Sequence, residues 1–230
     1  MPHAMSCTAN MMNQPGVGAS DAPRSLTKTS LAQGVAHLTK CDPDLARILT
    51  VYGRPPLWAR APGFSTLVRI ILEQQVSLAS ARATYDRLRA ATAPLTPQNF
   101  LKLDDTTLKR IGFSRQKIAY VRHLAQAVVA GELNLRALTA MDDDAVRGAL
   151  LRLKGVGPWT VEVYLLMALR RPDAWPASDL GLLLAAQQVK RLPARPTPIE
   201  LHELGERWRP WRAVAARLLW HYYLSRAAAK

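Results

Sequence analysis

The residues that point first to chemistry are Gly155-Val156-Gly157-Pro158, set between two apolar segments of helical period. Glycine has no Cβ, so the chain can turn sharply there and a foreign backbone can come close. The N–H groups that open the next helix lack intrahelical partners and carry partial positive charge. Turn and helix start together make a seat for an anion, suited to a phosphate. Pro158 fits the first helical turn, where no N–H is needed. An ordinary helix–helix turn would use the same residues. About twenty residues on, Trp175-Pro176-Ala177-Ser178-Asp179-Leu180-Gly181 sets a carboxylate between a proline-bearing link and an apolar run. Aspartate there is a natural N-cap. A helix start favours the charged form of a carboxylate, so capping and chemistry are compatible roles for Asp179.

These groups need elements to hold them, and the remaining sequence reads as helix. The chain has 230 residues, 49% of them hydrophobic, enough to bury a core in one compact unit or two small lobes. Residues 1–29, rich in small, polar and turn-forming types, read as a tail, and 30–230 as the folded body. Leu31–Leu38 and Pro43–Tyr52 are short amphipathic pieces split by Asp42-Pro43, a helix-start pair. From Phe64 to Leu88 an apolar stripe runs at helical spacing, with Gln75 as its polar interruption. Thr96-Pro97 opens a helix expected to end at Ile111-Gly112, and Ser114 caps the next, which Gly131 closes. A helix over 139–153, one over 159–170, one from Asp179, and two over 198–207 and 211–227 complete the body. There is no run of alternating strands, no internal repeat, and no G-x-G-x-x-G or P-loop pattern, which argues against a dehydrogenase or an NTPase.

Composition narrows the partners. Lys and Arg number 31 against 17 Asp and Glu, a formal charge of +14. So basic a chain fits a polyanion, although arginine-rich composition alone would give the same sum. The 2 cysteines, Cys7 and Cys41, are too few for a four-thiolate iron–sulfur or zinc site and do not indicate a disulfide scaffold. No stretch reaches the roughly 20 apolar residues of a membrane span, and the N-terminus lacks a signal-peptide core. The expectation is a soluble cytoplasmic protein with no membrane partner.

Four segments in order then carry a specific likeness. They are Ile70-Ile71-Leu72-Glu73-Gln74-Gln75-Val76-Ser77, Ile111-Gly112-Phe113-Ser114-Arg115-Gln116-Lys117, the Gly155-Val156-Gly157 turn with its later Asp179, and Trp208-Arg209-Pro210-Trp211-Arg212. Over roughly residues 40–225 the chain resembles the helix-hairpin-helix superfamily of DNA glycosylases, and within it the 3-methyladenine, or alkylpurine, branch. The resemblance implies an all-α fold of two helical lobes around a DNA-binding cleft, with a helix-hairpin-helix motif. It implies a monomer acting on double-stranded DNA that contains alkylated bases, excising alkylated purines as a step of base excision repair.

Residue by residue, the resemblance implies the following. Gly155, Val156, Gly157 and Thr160 grip a DNA phosphate, with Lys117, Arg115, Lys154, Arg209 and Arg212 as candidate phosphate contacts. A monovalent cation sits on the main-chain carbonyls of Leu151, Leu153 and Val156. No other cofactor is required, and no iron–sulfur cluster is expected. Asp179 is the catalytic carboxylate, stabilising positive charge that builds on the deoxyribose as the N-glycosidic bond breaks. Trp159 stands where lyase relatives place a nucleophilic lysine, so the expected enzyme hydrolyses the glycosidic bond and leaves the backbone whole. An electron-rich ring there attracts a cationic alkylated base, with Gln74, Tyr164 and Trp211 as further pocket residues. Gln75 enters the duplex when the target nucleotide is extruded.

Without the likeness, Trp159, Tyr164 and Trp211 read as well as core residues, and Gln75 as a helix-edge residue. Three other functions compete. A non-catalytic helix-hairpin-helix module would explain the charge and the turn, but not Asp179 with Gln74-Gln75. A glycosylase–lyase for oxidised bases conflicts with Trp159. A helix-turn-helix regulator needs polar base-reading side chains, whereas Val161, Val163, Leu165 and Leu166 are apolar.

Overall fold

A computed structural model describes residues 24–228, and its regular elements are twelve α-helices and one short 3-10 helix (Ala137–Thr139), with no strand among the described residues. The chain divides into two compact units, one formed by the chain up to Ala59 and from Arg170 onward, the other by Arg60–Leu169. Helices α1 (Lys28–Cys41) and α2 (Pro43–Tyr52) begin the first unit. The second holds α3 (Phe64–Glu73), α4 (Leu78–Ala91), α5 (Pro97–Leu101), α6 (Asp105–Ile111), α7 (Arg115–Val129), α8 (Asp143–Leu151) and α9 (Pro158–Met167). Helices α10 (Leu180–Val189), α11 (Pro198–Glu206) and α12 (Arg212–Ala228) complete the first.

Residues 1–23 of the expected tail lie outside the described residues. The remainder of it is already structural. Leu26 is fully buried, and Thr27 and Ser30 form a capping box that starts α1 at Lys28.

In the first unit α12 packs against α1, α2 and α10. Its face of Val214, Leu218 and Leu219 is wholly buried. Asp42 is the polar anchor of this unit. It caps α2 through the N–H groups of Asp44 and Leu45, pairs with Lys190 at 2.6 Å, and accepts the indole N–H of Trp208 at 2.9 Å. Burial raises its pKa, but Lys190, Trp208 and the Leu45 N–H outweigh that and hold it below the ordinary aspartate range.

In the second unit α9 packs on α3 and α8. It is apolar almost all round, with Val161, Val163, Tyr164, Leu165 and Leu166 buried, as an interior helix must be. This leaves it no polar recognition face.

Two expected helices are each broken in two. The stripe from Phe64 to Leu88 is interrupted at Gln74–Ser77, where Gln74 turns extended and Gln75 takes a left-handed φ of 55°. Ser77 then caps α4 through the N–H of Ser80. The segment 97–111 is divided because Asp104 caps α6 through the N–H of Thr107. Other ends follow their sequence signals. Gly112 closes α6 at φ 112° with the paired return bonds of a Schellman turn, and Ser114 and Asp142 cap α7 and α8. The helix expected over 139–153 therefore begins only at Asp143.

Candidate nucleic-acid interface and catalytic carboxylate

The hairpin lies in the second unit, where α8 leads through Arg152–Gly157 into α9. Gly155 carries the turn at φ 84°. A Cβ at that position would fall 2.0 Å from Cγ of Tyr120, so the glycine is required both by conformation and by the ring laid against it. Val156 is 5% exposed and pins the turn to the core, its N–H donating to the Leu153 carbonyl at 3.1 Å. Gly157 is different. Its φ of −99° suits any residue, and a Cβ would meet nothing described within 4 Å. The fold therefore does not need a glycine at 157. No side chain caps α9, and Pro158 supplies no N–H, so the helix start is left as a donor surface.

The break at Gln74–Ser77 lies beside this turn. The Gln74 amide donates to the Gly155 carbonyl at 3.0 Å and to Thr160 Oγ1 at 2.8 Å. Lys117 Nζ donates to the carbonyls of Leu72 at 2.7 Å and Gln74 at 2.9 Å, closing the end of α3. Burial lowers the pKa of that ammonium below the ordinary lysine value. Gln75, Val76 and Ser77 are exposed at the tip. Gln74, Gln75, Lys117, Tyr120, Gly155 and Gly157 line a recess of about 350 Å³.

Asp179 lies in the first unit as the N-cap of α10. Its Oδ1 accepts the N–H of Leu182 at 3.0 Å and the indole N–H of Trp220 at 2.8 Å. A Cβ at Gly181 would sit 3.1 Å from Asp179 Oδ1 and 3.4 Å from the Tyr223 ring, so a side chain there would press on the carboxylate. The carboxylate is thus a half-exposed acceptor fixed by two N–H donors, a pre-oriented negative charge for a nearby cation.

Several expected site residues have other work. Tyr164 is not a pocket wall: it is fully buried, its hydroxyl accepts the Gly63 N–H at 3.1 Å, and burial pushes its phenol pKa up. Trp211, 8% exposed, packs on Gly34, where a Cβ would come within 2.7 Å of its ring. Arg212 is not a surface phosphate ligand, because its guanidinium is buried and paired with Asp173 and Glu206, both at 2.8 Å. Arg209 also pairs with those two acids. Lys117 and Thr160 hold the Gln74 turn rather than standing open to solvent. Trp159 is half-exposed at the start of α9, and Arg115 and Lys154 are exposed. Trp220 was not singled out in the sequence. It lies 41 residues after Asp179, and one tryptophan among the apolar residues of α12 carries no local sign of its partner.

A helical hairpin with a glycine-led helix start, followed about twenty residues on by an aspartate that caps the next helix, defines a helix-hairpin-helix fold. Residues 68–210 match the family described as HhH-GPD superfamily base excision DNA repair protein, and the chain belongs to that family. Among curated relatives, the DNA-3-methyladenine glycosylase 1 of Schizosaccharomyces pombe is 28% identical over 200 residues, covering 84% of this chain and 87% of the relative. Among solved structures, the S. pombe 3-methyladenine DNA glycosylase in complex with abasic DNA matches at 27% identity with a TM-score of 0.77, covering 82% of this chain and 95% of that one. The DNA-3-methyladenine glycosidase of Bacillus halodurans matches at 27% identity with a TM-score of 0.69, covering 86% and 91%. The chain spans only 66% and 39% of the length of relatives from Bacillus subtilis and Mycobacterium tuberculosis.

Proposed function

We propose that this chain is a monofunctional DNA glycosylase that excises alkylated purines, 3-methyladenine and 7-methylguanine among them, from duplex DNA. The observation that carries the proposal is Asp179, held at the start of α10 by the Leu182 N–H and the Trp220 indole. An alkylated purine already bears positive charge and is a good leaving group. As its bond to C1′ lengthens, positive charge moves to the deoxyribose. A fixed carboxylate favours that state over the ground state; the purine leaves as the neutral base, and water adds at C1′ and releases a proton to solvent. No group able to form a Schiff base stands at the Trp159 position, so the sugar stays in the backbone as an abasic site.

In this reading the N-terminus of α9 with Gly155 and Gly157 receives a phosphate, and the exposed Gln75 fills the space the extruded nucleotide leaves. The half-exposed Trp159 offers a ring face to the cationic base. A monovalent cation is part of the proposal. The carbonyls of Leu151, Leu153 and Val156 are neutral oxygen donors suited to such an ion, and the Leu153 carbonyl, which accepts one N–H, keeps a second lone pair. When bound, the ion would add positive charge to the phosphate seat. The protein acts as a monomer.

The test is base release from methylated duplex DNA, with strand cleavage and borohydride trapping scored alongside. Free 3-methyladenine with intact strands and no trapped adduct supports the proposal. Binding without release from a broad lesion panel would favour a non-catalytic module. A trapped adduct would overturn the monofunctional assignment.

A further inference from the structure

Gln75 holds a left-handed backbone, which a residue with a side chain adopts only when its surroundings impose it. Neither glycine nor proline marks the break, and the apolar stripe continues in phase on both sides of it. Two side chains do the imposing. Lys117, on α7, places its ammonium on the carbonyls of Leu72 and Gln74 at 2.7 and 2.9 Å, which occupies the end of α3 and sets the peptide that leads into Gln75. Gln74, from inside the same turn, donates to Gly155 and to Thr160 on α9, at 3.0 and 2.8 Å. One amide therefore joins the turn that presents Gln75 to the hairpin that receives phosphate.

We propose that Lys117 and Gln74 are positioning residues that lock the Gln75 turn to the hairpin, so that phosphate capture and entry of Gln75 into the duplex occur as one event. The proposal rests on the reading of Gln75 as the residue that enters the duplex. It assigns Lys117 a role besides any phosphate contact, since two of its three ammonium donors go to backbone carbonyls. It also gives Gln74 work at the hairpin, where both N–H donors of its amide go. Tight coupling follows from the geometry: Gly155 is held on one side by the Tyr120 ring and on the other by Gln74, so a shift of the hairpin is carried to the turn.

The experiment is a double-mutant cycle on the full chain with Lys117→Met, Gln75→Ala and the pair. The first readout is extrusion, followed by fluorescence of 2-aminopurine placed beside an alkylated base. The second is single-turnover excision of 3-methyladenine, and the third is affinity for undamaged duplex. Lys117→Met should slow extrusion and excision about tenfold, on the order of the loss in Gln75→Ala, and undamaged-duplex affinity should change less than twofold. The pair should be no slower than Gln75→Ala alone. Gln74→Met, which leaves Lys117 in place, should reproduce the loss and serves if Lys117→Met does not fold. Additive losses, or wild-type extrusion in both Lys117→Met and Gln74→Met, would overturn the coupling while leaving the Gln75 assignment intact. Unchanged extrusion in Gln75→Ala would overturn both.

Discussion

Gly157→Ala separates what the hairpin needs to fold from what it needs to bind. In the protein alone the substitution has no steric cost, because φ is −99° and a Cβ meets nothing described within 4 Å. Alanine is a poorer N-cap than glycine by about 0.5–1 kcal/mol, and the stiffer unfolded chain returns about 0.4–1 kcal/mol. The net change in stability should stay within about 1 kcal/mol, a Tm shift of about 2–4 °C at most. If the start of α9 seats a phosphate as proposed, the added methyl stands between that helix start and a phosphate oxygen. Loss of one hydrogen bond to a charged group costs about 1.5–3 kcal/mol, or about 10- to 150-fold in Kd. Gly155→Ala is the contrasting control. Its φ is 84° and its Cβ would fall 2.0 Å from Tyr120, so strain and overpacking together should cost about 2–5 kcal/mol and the melt itself should fall. Thermal denaturation and fluorescence anisotropy on an abasic duplex at one fixed salt concentration measure both quantities. The reasoning is refuted if Gly157→Ala binds as tightly as wild type, or if it melts as early as Gly155→Ala.

Three further outcomes follow from the same geometry. Arg212→Met should lower stability by about 2–4 kcal/mol, read as the denaturant midpoint. This is below the full cost of opening a buried pair, because Asp173 keeps Arg209 and Glu206 is half-exposed. DNA affinity of the folded variant should stay near wild type, and a large affinity loss would restore Arg212 as a phosphate contact. Asp42, held below the ordinary aspartate value, stabilises the fold above that value, and the contribution is lost as pH falls through its lowered pKa. Wild type should therefore exceed Asp42→Asn in stability at neutral pH, with the gap narrowing from pH 5 toward pH 2 in urea melts; a constant gap contradicts the assignment. Trp220→Phe removes the 2.8 Å bond to Asp179 while keeping an aromatic ring. The chemical rate should drop about tenfold or more with DNA affinity little changed, since a hydrogen bond to a charged group contributes about 1.5–3 kcal/mol.

What the sequence revealed best was local. Asp42-Pro43, Ser114, Gly112 and Asp179 act at helix ends through bonds spanning two to five residues, and each does what its type implies. The all-helical class followed from the same periodicity. The break at Gln74–Ser77 was hidden because the bonds around it reach far along the chain, from Lys117 some 40 residues later and from Gln74 to Gly155 and Thr160. The break at Asp104 was hidden among polar residues that read equally well as helix. Gly155 as the turn glycine and Asp179 as a helix cap were legible from type and spacing, whereas the bond from Trp220 to Asp179 spans 41 residues. Tyr164, Trp211 and Arg212 show the converse. Aromatic and basic residues near a site motif look like ligands, but Gly63, Gly34 and Asp173 claim them for the interior.

The central claim is that the Asp179 carboxylate drives the chemistry, and Asp179→Asn tests it with little disturbance. Asparagine is as good an N-cap as aspartate, and its carbonyl can still accept from Leu182 and Trp220, so the cap is kept while the charge is removed. Single-turnover release of 3-methyladenine should fall on the order of 10²–10³-fold, with abasic-duplex affinity and Tm close to wild type. Excision at the wild-type rate by a folded, DNA-binding Asp179→Asn protein would contradict the account.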